Sequence, residues 1–171
     1  MSESPRDADA TTPDASGGWF DDETRLLGPR AWAAILGVET ARAQRYGRPV
    51  TVAMVEVVGL EDLVTVWGTD VGTHAAARVG AVLRSKVRTS DYVARVGPRR
   101  FAILLPETDE VAAVNAVERV RDACDEALRE VESGARAWFG WADATPKRAL
   151  AAAAEVALQR IEADRKAEGA G

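Results

Sequence analysis

Between Pro49 and Val58 the chain reads Pro-Val-Thr-Val-Ala-Met-Val-Glu-Val-Val, a β-branched and apolar run broken by one carboxylate, Glu56. A half-buried strand alternates apolar and polar residues, whereas a run this continuous is what a strand buried on both faces looks like. The rest of the chain must therefore supply strands and helices that cover it.

Those elements are legible on either side. Residues 29–46 open with Pro29 in a first helical turn, carry Trp32, Ile35, Leu36 and Ala43 on one side, and stop near Gly47. Residues 60–67 read as a short helix or turn. Residues 70–87 read as a helix with Val79, Val82, Leu83 and Val87 at helical spacing. Tyr92–Val96 and Phe101–Leu105 flank Gly97-Pro98-Arg99-Arg100, the pattern of a β-hairpin. Residues 109–131 predict a long helix with Ala113, Val117, Val120, Cys124, Leu128 and Val131 inward, which makes Cys124 a buried small hydrophobe. A strand over 135–142 and a helix over 146–166 complete the order. The class is α/β (α+β): a ferredoxin-like βαββαβ sheet with a β-hairpin, antiparallel or mixed, a theme with helices on one face, and here with helices expected to pack around the sheet.

Composition bounds the function. The longest stretch without a charge is eight residues, Ala31 to Val38, against the roughly 20 that a membrane span needs. A single cysteine excludes an internal disulfide, and with the single histidine, His74, it excludes the usual zinc sites. His74 itself reads as a surface or capping residue. The polar, acidic N-terminus reads as no secretory signal, and the expected location is cytoplasmic. Residues 1–18 lack large apolar side chains until Trp19 and are expected to be disordered; residues 19–166 form the domain, and 167–171 are expected to fray. The net charge is −5, yet Arg78 to Arg100 carries seven cations against Asp91 alone. That local excess on an acidic protein suggests an anion-binding or solvated surface, while nucleic-acid binding is not expected. The five tryptophans are expected to be mostly core; either Trp138 or Trp141 is exposed, or helices cover both faces of that strand and neither is.

At the hairpin the chain resembles a known family. Arg88-Thr-Ser-Asp-Tyr-Val-Ala-Arg-Val-Gly-Pro-Arg-Arg-Phe-Ala-Ile-Leu-Leu-Pro106 is similar to the GGDEF signature of diguanylate cyclases: R-x-x-D, V-A-R, G-G-[DE]-E-F, then an apolar strand. Asp21 to Trp32, Val55-Glu-Val-Val58, Trp67-Gly68, Phe139-Gly-Trp-Ala142 and Ala154-Glu-Val-Ala-Leu158 fall in register with other parts of the family pattern. The resemblance implies a nucleotidyl-cyclase-like fold. In active members two domains each hold GTP and Mg²⁺ and make cyclic di-GMP by in-line attack on an α-phosphate.

The resemblance also implies loss of that chemistry here. Glu56 stands at the family's metal-binding Asp, a vestigial metal position, and Arg99 and Arg100 replace the acidic pair of the hairpin. The signature hairpin Gly97, Pro98, Arg99, Arg100, Phe101 is thus degenerate, with Pro98 in place of a glycine. Val64 and Thr73 stand at the guanine-contacting Asn and Asp, and Glu162 at a phosphate-binding Lys, whereas Lys166 falls where the following Arg lies. Glu56 is expected to face a residual cleft or pair with Arg99 or Arg100. No catalytic residue, metal or cofactor is expected. The expected function is an inactive GGDEF-like signalling module acting through an unidentified protein partner or self-association. The alternative is a cyclic di-GMP receptor through Arg88 and Asp91, the R-x-x-D of the family's inhibitory site, although the same residues are ordinary at a helix end. An active cyclase is the reading least favoured. Heavy Ala and Arg use hints at a GC-rich bacterial genome.

Overall fold

In the computed structural model the elements run α1 (Pro29–Tyr46), β1 (Val50–Val58), α2 (Leu60–Trp67), α3 (Thr69–Lys86) and β2 (Tyr92–Arg95). They continue with β3 (Arg100–Pro106), α4 (Glu110–Glu130), β4 (Arg136–Asp143) and α5 (Leu150–Gly169). The structure describes residues 18–131 and 134–169; the expected tail over 1–17 and the last two residues lie outside the described residues. Residues 167–169, expected to fray, continue α5, and Glu168 accepts from Arg136 at 2.9 Å.

The four strands form one sheet in the order β2-β3-β1-β4 with every pair antiparallel, the ferredoxin-like arrangement. β1 lies inside the sheet, and eight of its nine residues are buried. Its odd-numbered residues Ala53, Val55 and Val57 join Phe101, Ile103 and Phe139 under α2, α3 and α4. Its even-numbered Val50, Val52 and Met54 join Ala102 and Leu104 against Trp32 and Leu36 of α1 and Leu150, Ala157 and Ile161 of α5. Helices therefore cover both faces, as helices packed around the sheet require, and not the single face of the simplest ferredoxin-like theme. The physical reason is the β1 run itself, whose two apolar faces each need a partner.

Only Trp32 of the five tryptophans is a core residue. Trp138 and Trp141 are both half-buried on opposite faces of β4, because α5 packs on one side and α4 on the other. Trp19 and Trp67 are the exposed rings, contrary to expectation. α2 turns only Leu60 and Leu63 inward, and its last residue projects past the layer. Cys124 is buried as expected; burial first, and then the adjacent Asp125 carboxylate, push its thiol up to about 12, so it stays protonated and unreactive at neutral pH.

One glycine sets how closely α5 approaches the sheet. A Cβ at Gly140 would sit 2.0 Å from the carbonyl oxygen of Ala157, a backbone atom that no rotamer change can move. At Gly97 a Cβ would meet only the Arg100 Cβ at 3.6 Å, an ordinary contact. In urea unfolding, Gly140→Ala should cost about 2 kcal/mol or more through overpacking. Gly97→Ala should stay within about 0.5 kcal/mol of the parent. Equal stability of the two variants would refute this account of the α5–β4 contact.

Candidate functional site

The end of β1, the hairpin and the last turns of α5 meet at Glu56. The register places Glu56 beside Arg100 of β3 and Trp138 of β4. Its side chain is 3% exposed. Arg99 Nε donates to Glu56 Oε1 at 2.9 Å, and Arg100 Nε lies 3.6 Å from the same oxygen. From α5, Arg165 Nη1 donates to Oε2 at 3.3 Å. Arg99 also reaches Glu61 Oε2, on the first turn of α2, at 3.5 Å. A buried carboxylate is costly unless it is paired and hydrogen-bonded, and here three guanidiniums share that task.

This donor set does not fit Mg²⁺. A divalent ion takes hard oxygen ligands, usually from more than one carboxylate, and repels cations brought to its ligands. Glu56 offers one carboxylate already held by guanidiniums, and among the described residues no group of three or more His, Cys, Asp or Glu could hold a metal.

The cleft beside this cluster is small. Leu60, Val64, Gly72, Thr73, Pro98 and Arg99 line a space of about 130 Å³, below the ~300 Å³ of ordinary small-molecule sites. Val64 lies so near Gly72 that a Cβ there would meet the Val64 methyl at 2.3 Å. The valine thus packs against α3 at the position where the resemblance puts a guanine-contacting Asn. Thr73 donates to Glu23 Oε1 at 3.4 Å. Glu162 and Lys166 are both exposed on α5, and it is Arg165 between them that enters the site.

The hairpin is braced from outside by the segment before α1. Gly28 N donates to Trp19 O, and Leu27 exchanges backbone hydrogen bonds with Val93 and Arg95 along β2, the edge strand. Arg95 pairs with Asp21 at 3.3 Å and with Glu23, and donates to the Pro98 carbonyl at 2.8 Å. Burial of Asp21 pushes its carboxyl up, but the Thr24 hydroxyl and amide, together with Arg95, outweigh it and hold the group below its ordinary 3.8.

The Arg88–Asp91 pair closes the end of α3. Asp91 Oδ2 accepts from the Arg88 amide at 2.8 Å, and Arg84 Nη1 donates to the Asp91 carbonyl at 2.7 Å. Asp91 is 5% exposed. The Arg88 side chain is exposed and makes no hydrogen bond among the described residues. Beside it, Thr24, Leu27, Arg84, Asp91 and Tyr92 line an open groove of about 650 Å³. His74 is exposed on α3 and takes no part in either place.

The family profile described as diguanylate cyclase, GGDEF domain, matches residues 19–165. The chain belongs to the GGDEF domain family. Diguanylate cyclase DosC of Escherichia coli K12 is 31% identical over 115 residues, which cover 67% of this chain and 25% of DosC. The chain therefore spans about a quarter of that relative. Among solved structures, diguanylate cyclase SiaD of Pseudomonas aeruginosa, in complex with its activator SiaC, superposes with a TM-score of 0.78 at 25% identity. That match covers 88% of this chain and 59% of SiaD. The GGDEF domain of DgcB from Caulobacter crescentus, in complex with c-di-GMP, superposes at 0.75 with 18% identity over 94% of this chain and 92% of that one. It shares the GGDEF fold. Among the described residues, no helix is long and apolar enough to cross a membrane.

Three features of the site escape a reading of the GGDEF pattern alone. Arg165 lies one turn beyond the inward Ile161, and that spacing was the available signal. Glu61 sits in the first turn of α2, five residues past Glu56. The Asp21–Arg95 contact joins residues 74 apart and carries no local signal.

Two outcomes test this geometry. Glu56→Gln removes the anion that three guanidiniums share. Each of these is about a third exposed, so the loss in urea unfolding should be about 1–3 kcal/mol rather than the full cost of a buried pair. A variant as stable as the parent would refute the cage. For Asp21, a folded-state value below the unfolded one stabilises the fold fully above pH 3.8, and the contribution disappears as pH falls through the lower folded value. Asp21→Asn should therefore be less stable than the parent at pH 7. The gap should close as the pH is taken below 3.8, read from thermal unfolding.

Proposed function

We propose that this GGDEF domain is catalytically inactive and acts through protein contact, with an unidentified partner or a second copy of itself. The observation that carries the reading is the Glu56 carboxylate held by Arg99, Arg100 and Arg165, where a cyclase needs a ligand for Mg²⁺. Guanidiniums at that position reverse the sign of the charge that the metal-binding hairpin would present. The small cleft, narrowed where Val64 packs against α3, supports the same reading, since a nucleotide finds little space there. What α2 presents beside the cleft is apolar: Val66 and Trp67 are exposed, the latter at 69%, and exposed aromatics mark contact surfaces. A protein of stated role is already bound to one relative in structure, SiaC on SiaD.

A second reading is a cyclic di-GMP receptor at Arg88 and Asp91. The exposed Arg88 guanidinium and the adjoining groove favour it, because arginine pairs with phosphate and with guanine edges. Against it, Asp91 is committed to the Arg88 amide.

Incubation with GTP and Mg²⁺ or Mn²⁺ should yield no cyclic di-GMP; turnover abolished by Glu56→Ala would overturn the proposal. Sedimentation across a concentration series should show self-association weakened by Trp67→Ala, or else that variant should lose a partner the parent retains. Saturable calorimetric binding of cyclic di-GMP, lost in Arg88→Ala, would move the assignment to the receptor.

A further inference from the structure

At the pole of the sheet opposite the hairpin, where β1 begins and β3 ends, lies a separate cavity of about 530 Å³, within the size range of small-molecule sites. Glu39, Val50 and Pro106 form its inner wall, and Arg42, Arg48 and Glu107 stand at its mouth. Glu39 is the anomaly. Its side chain is 5% exposed, yet Oε1 accepts a single hydrogen bond, from Arg42 at 2.9 Å, and Arg42 is itself 62% exposed. The second carboxylate oxygen has no hydrogen bond among the described residues and is not sealed from solvent, which it meets in the cavity that Glu39 lines. Buried carboxylates ordinarily collect several donors, as Glu56 does at the other pole. At the mouth, Arg48 and Glu107 pair while both remain mostly in water, so this contact opens at little cost.

The lining selects a ligand class. Two carboxylates and two guanidiniums make it neutral overall, with the negative charge inside and cations outside. A simple anion would face Glu39 and be repelled. A divalent metal would find one inner carboxylate beside a guanidinium. A zwitterion meets both charges, and Ala43, Tyr46, Val50 and Pro106 offer apolar surface for a side chain. We infer that this cavity binds a free α-amino acid with an apolar side chain, its ammonium on Glu39 and its carboxylate on Arg48.

The test is an NMR titration of the full chain with three probes of one shape: L-leucine, isoamylamine (ammonium only) and 4-methylpentanoate (carboxylate only). The amide signals of Ala43, Val50 and Glu107 should shift saturably with L-leucine, more weakly with isoamylamine, and least with 4-methylpentanoate. Glu39→Gln keeps the side-chain shape and should weaken L-leucine at least about tenfold, the scale of one charge-assisted hydrogen bond. Should that variant fail to fold by circular dichroism, the exposed Arg48→Ala decides: it should weaken L-leucine and leave isoamylamine unchanged. No saturable shift with any probe, tightest binding of isoamylamine, or unchanged L-leucine affinity in a folded variant would each overturn the inference.

Discussion

A carboxylate in the middle strand of a sheet covered on both faces has to be neutralised where it stands, and Glu56 is such a group. The residue is 2% exposed, and Met54, the next one along the strand on the same face, is buried too, so little water reaches the carboxylate. The chain meets the demand with cations from two directions, Arg99 and Arg100 across the β1–β3 register and Arg165 from α5. Because Arg99 also reaches Glu61, the hairpin, the central strand, α2 and α5 are tied at one point. Such a buried cluster is weak evidence of net stability, since desolvation offsets much of the attraction. Its effect is on arrangement: with the guanidiniums drawn inward, the hairpin holds a geometry that leaves no oxygen-rich opening between itself and β1.

The fold of this GGDEF domain was largely legible because it rests on periodicity. The β1 run, the heptad-like spacing in α3 and α4, and the turn at Gly97–Arg100 each state a local structure that packing does not override. The step from element to layer needed more than the strand order. Helices on one face are the usual accompaniment of this strand order, but the two apolar faces of β1 already required two covers, and α1 with α5 supply the second. The tryptophans failed for a related reason. Hydrophobicity places Trp67 inside, but its position at the end of a two-turn helix places it outside, and geometry wins.

At the site, legibility followed sequence separation. Arg99 and Arg100 could be named as partners of Glu56 because hairpin register is nearly local information. Arg165 lies 109 residues from Glu56, and only the packing of α5 over Gly140 brings it there. The Arg88–Asp91 segment illustrates a different limit. Its residue types suit an anion site and a helix end equally, and the side-chain bond from Asp91 to the Arg88 amide serves the helix end while leaving the Arg88 guanidinium outward.

Two glutamates, one at each pole of the sheet, carry the contrast that organises the surface. Both are buried on the α1–α5 side or under it, and both face guanidiniums, but Glu56 receives three and Glu39 one. The difference follows from where cations can be mounted. The hairpin pole gathers a turn, a strand end and the last turns of α5, each able to project an arginine inward. At the other pole α1 presents Arg42 from its outer side, and Arg48 lies in the connection to β1, where Glu107 already engages it. Glu39 keeps one oxygen without a hydrogen bond among the described residues, and that oxygen can accept a donor from outside. Closing one end of a sheet with its own arginines thus leaves the opposite end as the place where this chain can still reward a ligand.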